Sequence, residues 1–520
     1  MSTSMTRRAF VSATTVGAAA VAASGAATVA FAEEAAPAEE DFASQVTETV
    51  DFDVVVAGSG PAGLTAGVQA AELGLKVLIV EASDIRGGML IGAEGMAAVD
   101  SPWQIEQGIK IDVADVVEDE VIASKFHVNG LFWKNMLDRS PETMAWLIDK
   151  GVKFTGVVDD YYGSGVFPTF HWFEGDFACP TAFGDPMEAV FKGYEGCEIR
   201  LNTRARQLKM EDGKVAGLYA TTPDGVLEIN AKAVILATGG YSRNEEMVAE
   251  AFPALHAGRC LGFNPLGRVN GPATCVGDGR KMALEVGAND SSEHTAFMTP
   301  RSVCCNTENG MLQSLGGSSS GIWVNQDGFR FIREDCGAAY GVGAPLNAML
   351  EQWETYVVID AGIIEGLSAR IPDALAALEA EVAGGEVFEA QTVEELAEYI
   401  GCKPENIAKT VADYNAGCEA GVDGFHKDPA LLAPIATPPF FVLHQIYAPY
   451  HLMGAIVVNV NYEVVTKDYA PIPGLYAAGT EANMNYYKYA YSYDVPGGAC
   501  AQCVDSGRVA AKSAAEYINA

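Results

Sequence analysis

An α/β fold is predicted by three observations on these 520 residues. Residues 52–60 read FDVVVAGSG, an apolar strand that runs directly into glycines at Gly58, Gly60 and Gly63. The helical stretch AGVQAAELG and a second apolar strand, KVLIVEA at 76–82, follow at once, so the segment forms one βαβ unit. Hydrophobic residues make up 49% of the chain and charged residues 19%, enough to build a large core and two domains, and incompatible with a disordered protein.

The glycine spacing G-x-G-x-x-G, with Pro61 and Ala62 before its third glycine, has a physical reading. Gly58 permits a tight turn, Gly60 lets a pyrophosphate approach the backbone, and Gly63 lets helix and strand pack closely. Glu81, followed by Ala82, closes the second strand, where a carboxylate accepts hydrogen bonds from a ribose 2′-hydroxyl. Dinucleotide binding is therefore expected.

Ahead of this unit, Thr6-Arg7-Arg8-Ala9-Phe10-Val11 and the mild apolar run to Ala32 read as a twin-arginine export signal spanning 1–32, which implies an extracytoplasmic location. Residues 33–49, rich in Glu, Ala and Pro, read as a flexible linker. A formal net charge of −35 repels nucleic acid and anionic lipid, so nucleic-acid binding is excluded and any membrane association runs through a partner. Eleven cysteines form no repeated framework, and seven scattered histidines show no metal-ligand spacing, so no metal site is expected. Cys500-Ala-Gln-Cys503 lacks the histidine of a haem attachment motif, and small apolar filler is its simplest reading.

Three later segments extend the nucleotide reading. Gly87 and Gly88 form a second glycine pair, AKAVILATGGY at 231–241 is a buried strand ending in Ala237-Thr238-Gly239-Gly240, and GLYAAGTEA at 474–482 is another strand ending at Gly479. This ordered set resembles the flavoprotein family of fumarate reductase, succinate dehydrogenase and ketosteroid dehydrogenase. The resemblance covers the mature chain and implies FAD, bound by a Rossmann-like domain split in sequence by an inserted α+β substrate-capping domain. By that likeness the FAD-binding parts are 50–292 and 453–520, the cap is 293–452, and Asp278 and Gly498 join the cofactor contacts. Thr480 stands where the family often carries a glutamate on the flavin ribityl chain, with Glu481 next. The helix beginning near Gly498 is expected to aim its N-terminus at the flavin's pyrimidine edge.

The same likeness bears on substrate. At positions where fumarate reductases carry histidines, an acid-arginine pair and arginines, this chain has Thr299 before Pro300 and Arg301, Ser314 with Gly317, Ala338 two residues before Tyr340, and Tyr450 before His451. The arginine that grips a substrate carboxylate is replaced by Asp494. Tyr493 and Gly497 instead match the tyrosine-x-x-x-glycine pair with which ketosteroid dehydrogenases polarise a ketone. Three of these differences remove a fixed positive charge or histidine, and a dicarboxylate desolvated there leaves its charges unpaired at several kcal/mol each. Arg301 and Lys488 remain as partners for one carboxylate, and a site around Arg301, Arg333 and His451 is the fallback.

The resemblance thus implies a reductase of an activated C=C bond on a neutral or aromatic small molecule, which is its electron acceptor. Hydride comes from flavin N5, Tyr493 and Gly497 polarise the acceptor, Tyr340 or Tyr450 donates the proton, and a separate donor such as a cytochrome supplies electrons. The alternatives are a ketosteroid-type dehydrogenase, a fumarate-like carboxylate reductase and a non-catalytic electron-transfer flavoprotein. Tyr486, Tyr487, Tyr489, Tyr491 and Tyr493 crowd eight positions, and the first three are expected to pack their rings on the cap with hydroxyls towards solvent.

Overall fold

Four consecutive apolar residues, Val54–Ala57 (β1), are fully buried, as an interior strand of a parallel sheet covered on both faces requires. Pro61 opens helix α1 (Pro61–Glu72) where a missing N–H removes no hydrogen bond, and the helix returns the chain to β2 (Val77–Val80), parallel to β1. These elements belong to a computed structural model that describes residues 41–88, 93–161, 165–175, 179–251, 274–290, 295–297, 303–305, 314–337, 343–367, 374–384, 387–447, 451–453, 456–487 and 494–520.

Next come β3 (Gly95–Ala97), helix α2 (Pro102–Gln107), the long helix α3 (Gly130–Asp149), β4 (Phe154–Asp159) and β5 (Phe170–Phe173). Strands β3 and β4 flank β5 in a three-stranded antiparallel sheet. The strand β6 (Glu198–Arg200) joins the far side of β2, and β7 (Ala233–Leu236) pairs with β1 in parallel from Ala233–Val54 to Leu236–Ala57. Between them, Arg204–Glu211, Lys214–Thr222 and Gly225–Asn230 form a second sheet with Val46–Asp51.

After α4 (Asp278–Glu285) the chain enters a different layer, in which β9 (Thr355–Asp360) lies antiparallel between β8 (Ile322–Asn325) and β10 (Phe440–Tyr447), with α5 (Pro404–Ala420) in the connection. It then returns. The strand β11 (Pro471–Ala477) pairs in parallel with β7 on the side opposite β1, so the central sheet runs Glu463–Val465, β11, β7, β1, β2, β6. This Rossmann-like sheet draws its strands from both sides of an α+β insertion. Outgoing and returning chain lie side by side, with Asn289 N donating to Val465 O at 2.7 Å and Val457 N to Asn289 O at 3.1 Å.

Burial follows the same division. One apolar core joins residues of 54–288 to residues of 456–515 and takes in Met349 of the insertion, a second runs from Leu315 to Leu443, and Phe331 packs against both. The last helix, α6 (Gly498–Asn519), crosses α1 so closely that a Cβ on Gly507 would come 2.4 Å from Ala62 O, and small residues line both helices there. No helix among the described residues is long and apolar enough to cross a membrane, and no cluster of three or more metal-ligating side chains occurs among them.

Candidate active site

The nucleotide cradle is built by backbone proximity. Gly58 has φ +109°, and a Cβ there would sit 2.2 Å from Ala237 O, while a Cβ on Gly63 would sit 1.9 Å from Gly58 O. Gly60 and Gly88 differ, because a Cβ on either would meet the other turn only at 3.6 Å, an ordinary contact distance. Glu81 lies at the end of β2, only 7% exposed. Its Oε2 accepts from Ser59 N at 3.0 Å and Ser59 Oγ at 2.6 Å, and its Oε1 from Ser83 N at 3.0 Å. Gly87 N then donates to Ser59 Oγ at 3.2 Å, which ties the second glycine turn to the first. Ala82 follows Glu81, half-buried.

A second knot lies where β7, α4 and the turn Gly479–Ala482 meet. Thr238 Oγ1 donates to Glu481 Oε1 and accepts from Gly279 N at 3.0 Å, and a Cβ on Gly279 would reach 2.6 Å from Thr238 Oγ1. Glu481 is 1% exposed and its Oε2 finds no partner among the described residues. Burial pushes this carboxyl up to about 8, against the Thr238 hydrogen bond, with Asp278 adding to the rise. It is therefore a neutral acid at pH 7, with a proton to give to a hydroxyl.

The glycine turns, whose Gly60 carries no side chain to keep a phosphate from its backbone, and the orphaned buried acid fit a dinucleotide carrying a polyol. The buried carboxylate is Glu481, whereas Thr480, at the position where the family's glutamate is expected, is only half-buried. Asp278 is held on both oxygens by Arg204, at 2.8 and 2.9 Å, and so clamps α4 to the neighbouring sheet. Gly239 has φ +85° and Gly240 is buried beside it. Gly479, at φ +70°, donates its N–H to Ser506 Oγ at 2.9 Å and accepts from Gln502 Nε2 at 3.1 Å, which joins this turn to α6.

At the start of α6, Gly497 is the N-cap with φ +82°, and a Cβ there would lie 2.5 Å from Ala97 N. Gly498 follows so close to Tyr487 Oη and Trp133 that a Cβ would fall 2.7 and 3.0 Å from them. Tyr486 and Tyr487 depart from expectation. Both are fully buried, with rings edge-on to Trp133 of α3 at 5.4 and 5.5 Å rather than on the cap, and Tyr486 Oη shares a 2.8 Å hydrogen bond with Tyr462 Oη. The apolar face of α3 offered them more contact than solvent, and the paired phenols satisfy each other.

Tyr340, Tyr450, Tyr493 and Arg301 lie outside the described residues, as do Lys488, Tyr489 and Tyr491. His451 pairs its backbone with Phe297 in a short strand of the insertion. Cys500 and Cys503 are free thiols on the first turns of α6, and burial holds both above the ordinary thiol range, Cys503 at about 12, so they remain protonated filler.

Sequence inspection missed a buried polar chain behind Gly497. His171 is 1% exposed, with Nδ1 2.9 Å from Thr169 O and Nε2 2.6 Å from Ser101 Oγ. The one readable trace of it is Ser101-x-x-Gln104, a capping box at the start of α2. Burial drags the imidazole down to about 4. Because its folded pKa is depressed, an unfolded chain takes up this proton first, and stability falls as pH drops from about 6.5 towards 4 and levels off below. The unfolding free energy from urea titration should change between pH 7 and pH 5 by about 2 kcal/mol more in the wild type than in His171→Gln. Equal pH responses would remove His171 as the titrating group.

Comparison with known proteins places this arrangement. The FAD binding domain family matches residues 53–491. The chain is 29% identical over 495 residues to a vinyl phenol reductase of Lactiplantibacillus plantarum, covering 90% of this chain and 97% of that one. It is 29% identical over 446 residues to a urocanate reductase of Eggerthella lenta, covering 84% and 70% respectively. Among solved structures, the open conformation of a flavocytochrome c3 fumarate reductase superposes with a TM-score of 0.66 at 26% identity, covering 92% of this chain and 80% of the other.

Proposed function

We propose that this chain, which belongs to the FAD binding domain family and is an FAD-dependent oxidoreductase, reduces a C=C bond conjugated to a neutral aromatic group, of the vinyl phenol kind. FAD, when bound, supplies the hydride. The protein's part is to hold the acceptor, polarise it and deliver a proton.

The observation that carries the reading is Asp494, a carboxylate where a carboxylate-gripping arginine would stand. Its negative charge is felt nearby, because Asp119 is raised above the usual carboxylate range by burial first and by Asp494 second. A dianionic substrate entering this region meets repulsion and a large desolvation cost together, whereas a neutral phenol meets no repulsion and a much smaller desolvation cost. The full-length likeness to a vinyl phenol reductase supports the same class. In this reading Tyr493 and Gly497 donate hydrogen bonds to the acceptor's oxygen, and Tyr340 or Tyr450, as phenols protonated at neutral pH, supplies the proton. The twin-arginine segment and a separate donor such as a small cytochrome complete it, with the chain working outside the cytoplasm.

The test is anaerobic. Flavin reduced chemically in the purified protein is followed by absorbance while 4-vinylphenol, a neutral cyclic enone and fumarate are added separately. Reoxidation by 4-vinylphenol or the enone, and not by fumarate, is the expected result. Rapid reoxidation by fumarate alone would overturn the reading and move the site towards Arg301, Arg333 and His451. Tyr493→Phe should lower turnover about 100-fold, and unchanged turnover would take Tyr493 out of the mechanism.

A further inference from the structure

We infer that Thr169, set in place by His171, is a positioning residue that aims Gly497 and the N-terminus of α6 at the reacting groups. This rests on the reading above, in which Gly497 contacts the substrate. The turn from Asp494 to Gly498 is held by its carbonyls. Asp494 O accepts from Val166 N at 3.1 Å and Phe167 N at 3.0 Å, Pro496 O from Thr169 Oγ1 at 3.0 Å, and Gly497 O from Ala97 N at 3.0 Å. Three of these four donors are backbone N–H groups, which side-chain exchange short of proline leaves in place. Thr169 contributes the single side chain.

The turn needs such anchoring because α6 has no side-chain cap. Its N-cap is Gly497 in the left-handed region, so neither a capping hydroxyl nor a Cβ restrains the direction in which the first N–H groups point. A 22-residue helix concentrates partial positive charge at that end, and a small rotation redirects it. The bond to Pro496 O lies one residue before the N-cap, where it resists that rotation.

Thr169 is in turn fixed from behind. Its carbonyl accepts from Ala98 N at 3.1 Å and lies 2.9 Å from His171 Nδ1. Thr169 O can only accept, so the hydrogen of the neutral imidazole sits on Nδ1, and Nε2 accepts from Ser101 Oγ, 2.6 Å away, which itself accepts from Gln104 N at 3.1 Å. Nδ1–H thus donates to Thr169 O. Gln104 Nε2 closes the frame on Ala98 O at 3.0 Å and Pro168 O at 3.1 Å. Thr169, His171, Ser101 and Gln104 are all at most 1% exposed, so water does not substitute for a lost member.

Thr169→Val keeps the shape and removes the hydroxyl. The holoprotein should retain its FAD, lose about tenfold in kcat for the best alkene with little change in KM, and show a shifted flavin midpoint potential. Thr169→Ser should restore both kcat and the potential. A Thr169→Val protein that is less stable yet has wild-type kcat and potential would show a merely structural hydroxyl and overturn the inference. Should Thr169→Val fail to fold, Thr169→Ala carries the same pair of readouts. Failure of the wild type to reduce any alkene would refute the proposed reaction instead, and the potential of the variant would still decide the positioning role.

Discussion

Gly60→Ala protein is expected to fold with a near-wild-type melting temperature and to purify nearly colourless, whereas Gly58→Ala loses both flavin and stability. The two glycines sit two residues apart in one turn, but they meet different things. At Gly58 the left-handed φ of +109° and the 2.2 Å approach to Ala237 O leave no room for a methyl, so β1 and β7 must separate at their C-terminal ends. At Gly60 the backbone is ordinary, φ −68°, and a methyl meets only Gly87 O at 3.6 Å. The protein itself therefore tolerates the added carbon at Gly60, and its cost appears when a pyrophosphate must approach this backbone. The ratio of flavin to protein absorbance should fall at least tenfold in Gly60→Ala, beside an unfolding midpoint close to that of wild-type apoprotein. A Gly60→Ala protein with full flavin content would mean that the pyrophosphate runs elsewhere.

The βαβ unit was legible because everything that defines it is local. Val54–Ala57 and Val77–Val80 are apolar without interruption, and glycine spacing fixes the turn between strand and helix. Which of Thr480 and Glu481 turns inward was not legible, because a short helical turn at Gly479–Ala482, with no periodicity of its own, decides it. The burial of Tyr486 and Tyr487 was hidden for a different reason. Their partners Phe132 and Trp133 lie some 350 positions earlier in the chain, as the 353-residue span from Trp133 Nε1 to Tyr486 O shows, and no local pattern reports such a contact. His171 was invisible altogether, since a lone histidine in the strand Phe170–Phe173 carries no signal until Ser101 is brought against it. Local chemistry thus gave the cofactor end, and the parts of the site assembled from distant segments emerged only in three dimensions.

The insertion holds the other large effect. Lys427→Met should destabilise it by about 3–5 kcal/mol, although methionine matches lysine in length and is the more apolar residue. Lys427 is 1% exposed, and its Nζ lies 3.2 Å from Glu334 Oε2, 2.8 Å from Gly321 O and 3.3 Å from Tyr414 Oη. Arg330 pairs both nitrogens of one edge with Glu334 at 2.8 Å and reaches Asp423 Oδ2 at 2.7 Å. Two cations and two anions thus balance inside the second core, and Glu334 also accepts from Trp323 N at 3.1 Å, fixing the start of β8. Burial lowers the Lys427 pKa while Glu334 raises it again, so the charge depends on its partner. Removing the lysine leaves a net buried negative charge that Arg330 alone must face. Lys409→Met is the control, because its pair with Asp413 is two-thirds exposed on both sides and contributes less than about 1 kcal/mol. All four charges lie in the second core, which meets the first through few residues such as Phe331, so limited proteolysis of Lys427→Met should cut first between residues 315 and 443 while flavin absorbance persists. Simultaneous loss of flavin and insertion would show instead that the two cores unfold as one unit, and a wild-type unfolding midpoint would show that the four charges are not mutually dependent.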